Sequence, residues 1–317
     1  MNSSVILIGF GNIGFRHFQS IKNDKDLKKI YIVDKNKKKI LFYKKKYRKN
    51  KKLIFFTKIP KLSTKIEFAI IATCSKNTYE VFRELVALNK ISFILFEKLI
   101  SYEKRKILSI KKILVTKKIK GYLNLPRKLS SSYFMLKKLF KNSIIDYQLF
   151  GSTNLASNLI HQIDIFLHLA SSKKIVSVDS VLEQKPIKSK REGYFEFQGL
   201  VKLQTRNKSK LLINDSQKTS KNFLNTARIE NDRYIVNIYE SINLAIIFDK
   251  IKLEVKKINF SIPFQSQLTS FMLKNIHKNL FALCKFDDAA HYHLVIIELF
   301  NNFLKKFKKK LKDFPIT

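Results

Sequence analysis

Gly9-Phe-Gly11-Asn12-Ile13-Gly14 is the group of residues whose types and spacing most plainly serve chemistry. It follows an apolar run from Val5, and an apolar-periodic helix opens from it through Ile13, Phe18 and Ile21. Three glycines at these intervals between strand and helix form a dinucleotide-binding fingerprint, in a chain that has only seven glycines. Gly9 permits the tight turn, Gly11 lets backbone approach a pyrophosphate, and Gly14 lets helix and strand pack closely. The helix start, with Asn12 and Ile13, offers free N–H groups and a positive dipole end to the anion. Asp34 ends the strand-like Ile30–Val33 and stands 20 residues beyond Gly14, where a carboxylate accepts from both hydroxyls of an adenosine ribose. NAD is therefore expected over NADP, whose 2′-phosphate Asp34 would repel, although Lys35 and Lys37 stand close enough in sequence to receive that phosphate.

A second group lies on an apolar helix expected from Asn158 to Leu169. His161 and Asp164 are one turn apart and face one side, so an acid beside a histidine points to a polar cleft. His168 extends the same face, yet no fourth ligand accompanies the three, and no metal site is expected. Asp287, Asp288, His291 and His293 also cluster, but the acids read as the cap and dipole partner of the last helix, with the histidines as ordinary members.

The elements that must position these residues divide into two grammars. Strand-like Val5–Gly9, Ile30–Val33, Leu53–Phe56, Phe68–Ala72, Phe93–Phe96 and Ile119–Leu123 alternate with helix-like spacers such as Thr78–Asn89 and Glu103–Lys112, which predicts a parallel sheet. After Gly121, strand-like runs follow one another without helices: Val176–Leu182, Tyr194–Gln204, Lys210–Asn214, Tyr234–Tyr239, Leu244–Phe248 and Lys252–Val255. That pattern predicts a mainly antiparallel sheet, hence an α/β dinucleotide-binding domain over 1–121 and an α+β domain over 122–317, the latter closing on two helices.

These pieces together resemble the Gfo/Idh/MocA oxidoreductases. The resemblance is carried by Gly9-x-Gly11-x-x-Gly14-x-Arg16-His17, Ala72-Thr73, Glu97-Lys98, Asn124 with Arg127, and His161-x-x-Asp164. It implies a Rossmann domain followed by a domain whose open sheet often joins subunits, and a nicotinamide cofactor oxidising or reducing a sugar, cyclitol or sugar nucleotide between the domains. It also implies roles: Lys98 and His161 for proton chemistry, with Asp164 steering the histidine; Thr73 and Glu97 at the cofactor; Asn124, Arg127 and Asn158, beside Lys98, at the substrate. The chain departs from the family pattern at Leu99, where Glu-Lys-Pro is usual, at Cys74 and Thr78, in place of proline and a nearby histidine, and at Ser157 and Asn158, where an acid is common. These departures keep a cofactor-binding member without turnover as an alternative.

Composition bounds the remaining classes. The chain has 317 residues and 45% hydrophobic content, too apolar for a disordered polycation and long enough for two domains. Its 63 Lys+Arg against 24 Asp+Glu make +39, which invites a nucleic-acid reading. The lysines are spread along the chain, however, and accompany abundant Ile, Asn and Phe with few Gly and Pro, as an AT-rich coding sequence produces; no specific nucleic-acid partner is expected. No apolar run is long enough to span a bilayer, and the N-terminus lacks the basic region and cleavage site of a secretory signal. The basic, amphipathic stretch Lys305–Lys312 covers the core as readily as it would touch a membrane surface. With only Cys74 and Cys284, the sequence suits a reducing cytosol.

Overall fold

The computed structural model describes residues 3–215, 225–276 and 283–317. In chain order the elements are β1 (Ser3–Ile8), α1 (Asn12–Ile21), β2 (Leu27–Val33), α2 (Lys37–Lys46), β3 (Leu53–Phe56), β4 (Ile66–Ile71), α3 (Thr78–Leu88), β5 (Ile91–Phe96), α4 (Lys104–Thr116) and β6 (Lys120–Leu123). There follow α5 (Ser131–Leu139), β7 (Asp146–Gly151), α6 (Leu155–Leu169), β8 (Ile175–Leu182), β9 (Ile187–Lys188), β10 (Phe195–Glu196), β11 (Gly199–Thr205) and β12 (Lys210–Asp215). The chain ends with β13 (Thr226–Glu230), β14 (Tyr234–Tyr239), β15 (Leu244–Asp249), β16 (Glu254–Asn259), α7 (Gln265–Asn275), β17 (Cys284–Lys285) and α8 (Phe286–Lys305).

Two compact units result. The first holds residues 1–126 and 263–290. Its sheet runs β17-β6-β5-β4-β1-β2-β3, with β1 to β6 parallel and β17 antiparallel against β6. The interior strands are buried on both faces, as Val5–Ile8 and Phe68–Ile71 show, because helices cover a parallel sheet on both sides. The sequence boundary at 121/122 leaves residues 263–290 with the second domain; in the structure they return to the first. The cause is packing: α7 buries Leu268, Thr269, Met272 and Leu273 and contacts α1, while Cys284 and Lys285 pair with Leu123 and Tyr122.

The second unit holds residues 127–262 and 291–317. Its sheet runs β16-β15-β14-β13-β7-β12-β11-β8 and is antiparallel except where β12 lies parallel to β7. Val201, Leu203, Leu211, Ile213, Ile229, Val236, Ile238 and Ala245 form its buried face, and their sequence neighbours Leu200, Leu212, Arg228, Asn237 and Ile246 stay partly exposed on the other. This period-two alternation is that of a sheet covered on one face. The expected strand Tyr194–Gln204 is divided into β10 and β11 ahead of Gly199, whose φ is +122°. The expected Lys252–Val255 starts at Glu254, because the chain first turns through Leu253 at φ +56°.

Candidate functional site

In the first unit, the ends of β1, β2 and β4 bring Gly9, Gly11, Asp34, Thr73 and Cys74 to one open cleft of about 540 Å³. The glycines meet the demands read from their spacing. Gly9 has φ +93°, which side chains rarely adopt, and a Cβ there would lie 2.5 Å from the Ala72 carbonyl oxygen. A Cβ on Gly14 would lie 1.9 Å from the Gly9 carbonyl oxygen. At Gly11 an added Cβ meets nothing within 4 Å, so backbone there borders open space. Asn12 and Ile13 begin α1, whose first turn carries no acid and no side-chain cap, leaving its N–H groups available to an anion.

Asp34 is tied to this loop. Its Oδ2 accepts from the Phe10 N–H at 2.7 Å and its Oδ1 from the Asn36 N–H at 2.9 Å. The nearby cation is Lys39, with Nζ 3.8 Å from Asp34 Oδ2 while donating to the Phe10 carbonyl at 3.0 Å. Lys35 lines the cleft as well, but spacing alone did not single out Lys39, which one turn of α2 brings back toward the loop. Thr73 Oγ1 lies 3.0 Å from the buried Thr78 hydroxyl, which also donates to the Cys74 carbonyl at 3.1 Å.

Glu97 and Asn124 meet in a buried cluster built around His17. The Glu97 Oε1 accepts from His17 Nε2 at 2.8 Å and also from the Asn124 amide nitrogen. That amide donates to Gln265 Oε1 at 2.7 Å as well, and His17 Nδ1 lies 2.8 Å from the Thr269 hydroxyl. Since a carboxylate only accepts, Nε2 carries a proton and the ring's orientation is set from both sides. Gln265 and Thr269 were not anticipated; their i, i+4 spacing on α7 is the only trace of their pairing in sequence. Lys98 follows Glu97 directly, and the Lys98–Leu99 peptide bond is cis at the position where the family motif has its proline.

In the second unit, His161 and Asp164 lie on α6. Asp164 is 1% exposed, and Lys128 Nζ stands 2.8 Å from its Oδ1. His168 is pushed down to about 4 by burial and by the nearby Lys128 and Lys137 charges. Among the described residues no three His, Cys, Asp or Glu side chains are grouped to hold a metal ion. The start of α6 lacks a local acid, yet acids reach it from the strands: Asp215 accepts from the Thr153 and Leu155 N–H groups at 2.9 Å, and Glu196 from Ser157 at 3.2 Å. His291 Nε2 accepts from the Ile175 N–H at 3.1 Å, and Asp287 and Asp288 occupy the first turn of α8.

Arg127 and Asn158 line a pocket of about 440 Å³ within this unit, together with Asn154, Gln162, Asn225 and Glu240. Arg127 Nη1 binds Glu240 Oε1, to which the Tyr133 hydroxyl donates at 3.0 Å. Burial works against the Arg127 charge, but Tyr133 and Glu240 outweigh it and hold the guanidinium pKa above its ordinary value. Burial, then Tyr147 and Glu240, raise Tyr133 far above the usual phenol, so it remains a donor. Glu240, one of few acids in a basic chain, carried no sequence signal beyond that scarcity.

Residues 3–119 match the family described as "Oxidoreductase family, NAD-binding Rossmann fold", Gfo/Idh/MocA. Comparison with proteins of curated function finds no match. Among solved structures, the UDP-N-acetylglucosamine 3-dehydrogenase of Acidithiobacillus ferrooxidans is similar at a TM-score of 0.73 and 11% identity, covering 94% of this chain and 97% of that one. An NAD-binding oxidoreductase from Klebsiella pneumoniae is similar at 0.73 and 10% identity, over 96% and 98%. The transcriptional regulator Gal80p of Kluyveromyces lactis is similar at 0.73 and 13% identity, over 96% and 93%. The glycine loop, its acid and the two sheets are thus those of a chain with the NAD(P)-binding oxidoreductase fold of the Gfo/Idh/MocA family.

Proposed function

We propose that the protein is an NAD(P)-dependent oxidoreductase acting on a carbinol group of a sugar or sugar nucleotide. The observation that carries this reading is the cleft in which Gly9, Gly11 and Asp34 converge, with Gly11 bordering open space. The first-turn N–H groups of α1 would hold the pyrophosphate, and Asp34 the adenosine ribose. When bound, the nicotinamide supplies hydride exchange with the carbinol carbon. The chain must then move the hydroxyl proton, and His161 is assigned to take it at an imidazole nitrogen. Lys98 is assigned to donate to the same oxygen and stabilise the charge that develops there. In this reading NAD is preferred: a phosphate about 4 Å from Asp34 meets roughly 4 kcal/mol of repulsion per charge at an effective dielectric near 20, which Lys39 reduces.

A second reading, cofactor binding without turnover, is favoured by the departures at Cys74, Thr78, Ser157 and Asn158 and by the likeness to a transcriptional regulator. Titration with NADH and NADPH, then a turnover screen with nucleotide sugars, separates the two. Lys98→Met and His161→Ala should each lower kcat by about 10²- to 10⁴-fold on the substrate found, with NADH affinity nearly unchanged. Wild-type kcat in both variants would defeat the catalytic assignment, and cofactor binding without any turnover would favour the second reading.

A further inference from the structure

We infer that Glu240 is a specificity-determining residue that makes the pocket of the second unit selective for a neutral sugar ring over a carboxylated one; this rests on the sugar oxidoreductase reading. A lone arginine in a half-buried pocket is the usual fork for a carboxylate, because its N–H groups match two carboxylate oxygens. Here one arm of that fork, Nη1, is already engaged by an internal carboxylate. Arg127 Nη1 binds Glu240 Oε1, and the Tyr133 hydroxyl donates to the same oxygen at 3.0 Å, so the internal carboxylate is held from two directions. The rest of the lining among the described residues is uncharged: the carboxamides of Asn154, Asn158, Gln162 and Asn225 stand against the apolar Leu149 and Ile238.

In a chain with 63 basic and 24 acidic residues, the described lining of this pocket holds one of each, and they are paired. Carboxamides supply donors and acceptors for ring hydroxyls, and the apolar side chains suit the C–H face of a pyranose. A second carboxylate would lie beside Glu240 with no further cation among the described lining residues, and like charges in such a site repel.

The test measures binding to the full chain by calorimetry, with UDP-N-acetylglucosamine and its C6-carboxylated counterpart as probes and NADH titrated separately. The unmodified protein should bind the neutral probe at least about tenfold more tightly, and Glu240→Gln, by releasing Arg127, should shift the ratio about tenfold toward the carboxylated probe. The double variant Arg127→Met with Glu240→Gln removes the repelling carboxylate and the cation together and should lower the neutral preference to a level between those of the unmodified protein and Glu240→Gln, which retains a test if the single variant does not fold; an unchanged ratio in the double variant overturns the inference. Equal or tighter binding of the carboxylated probe by the unmodified protein overturns the inference, as does an unchanged ratio in a folded Glu240→Gln. A protein that binds NADH but neither probe overturns this pocket assignment and leaves the oxidoreductase reading standing. Discrimination without NADH binding upholds the pocket and overturns that reading.

Discussion

Individual side chains in this protein show how burial decides whether a titratable group keeps its charge. His168 has Nε2 buried without a hydrogen-bond partner, and burial first, then the Lys128 and Lys137 charges, lower its pKa from 6.5 to about 4. The unfolded chain takes up a proton below about pH 6.5 and the folded chain does not, so the contribution is intact above 6.5 and is lost as pH falls toward 4. Discounted for partial solvent access, the loss is on the order of 2 kcal/mol. Urea midpoints followed from pH 7 to 4 should show this decline, and His168→Leu should flatten its share of the curve. A variant whose pH profile parallels that of the unmodified protein would mean that His168 is protonated in the fold.

At the scale of elements, the buried cluster of His17, Glu97, Asn124, Gln265 and Thr269 joins α1, the ends of β5 and β6, and α7. It stands immediately before Lys98, so it holds the backbone that presents that lysine. Removing one member leaves a carboxylate or an imidazole buried with fewer partners. His17→Leu should therefore cost about 3–5 kcal/mol, and a cycle with Glu97→Gln should show a coupling of roughly 0.5–3 kcal/mol. Denaturant unfolding of the four proteins checks it; additive losses would mean the two side chains are energetically independent. This cluster also marks what the sequence could not disclose. The glycine loop and Asp34 were legible because strand, turn and helix are contiguous and glycine is scarce, and Leu53–Phe56 was placed to the residue because its neighbours are polar. His17 and Thr269 are 252 residues apart, and no local pattern announces that α7 and β17 return to the first unit. The central strands β7 and β13 were missed for another reason. Thr226–Glu230 buries only Ala227 and Ile229 and turns polar residues to the open face, so its apolar signal is too thin to stand out.

At the scale of the whole molecule, charge is the dominant feature. A polycation of +39 attracts phosphate backbones through counterion release, without any site built to read bases. Duplex DNA should bind weakly, without sequence preference, and lose roughly 10³-fold or more in affinity between about 50 and 200 mM salt. The open face of the second sheet, with Leu200, Leu212 and Ile246 half-exposed beside Arg228, is proposed to join copies of the chain, and light scattering on the same samples should report a dimer or larger species above 200 mM salt. Submicromolar, salt-resistant binding to one nucleic acid would contradict the first expectation, and a monomeric mass the second. No helix among the described residues is long and apolar enough to cross a membrane.

The central claim is that the first unit holds a nicotinamide dinucleotide at the glycine loop, and Gly11 offers its most direct test. A Cβ at Gly11 meets no protein atom within 4 Å beyond its chain neighbours and points into open space where the ligand would lie, whereas one at Gly14 collides with the Gly9 carbonyl. NADH fluorescence titration of the unmodified protein and of Gly11→Val, with thermal unfolding of both, separates cofactor from fold. The account predicts saturable NADH binding that Gly11→Val weakens by at least about tenfold at nearly unchanged Tm. Absence of NADH and NADPH binding by the unmodified protein, or equal affinity in the folded variant, would contradict it.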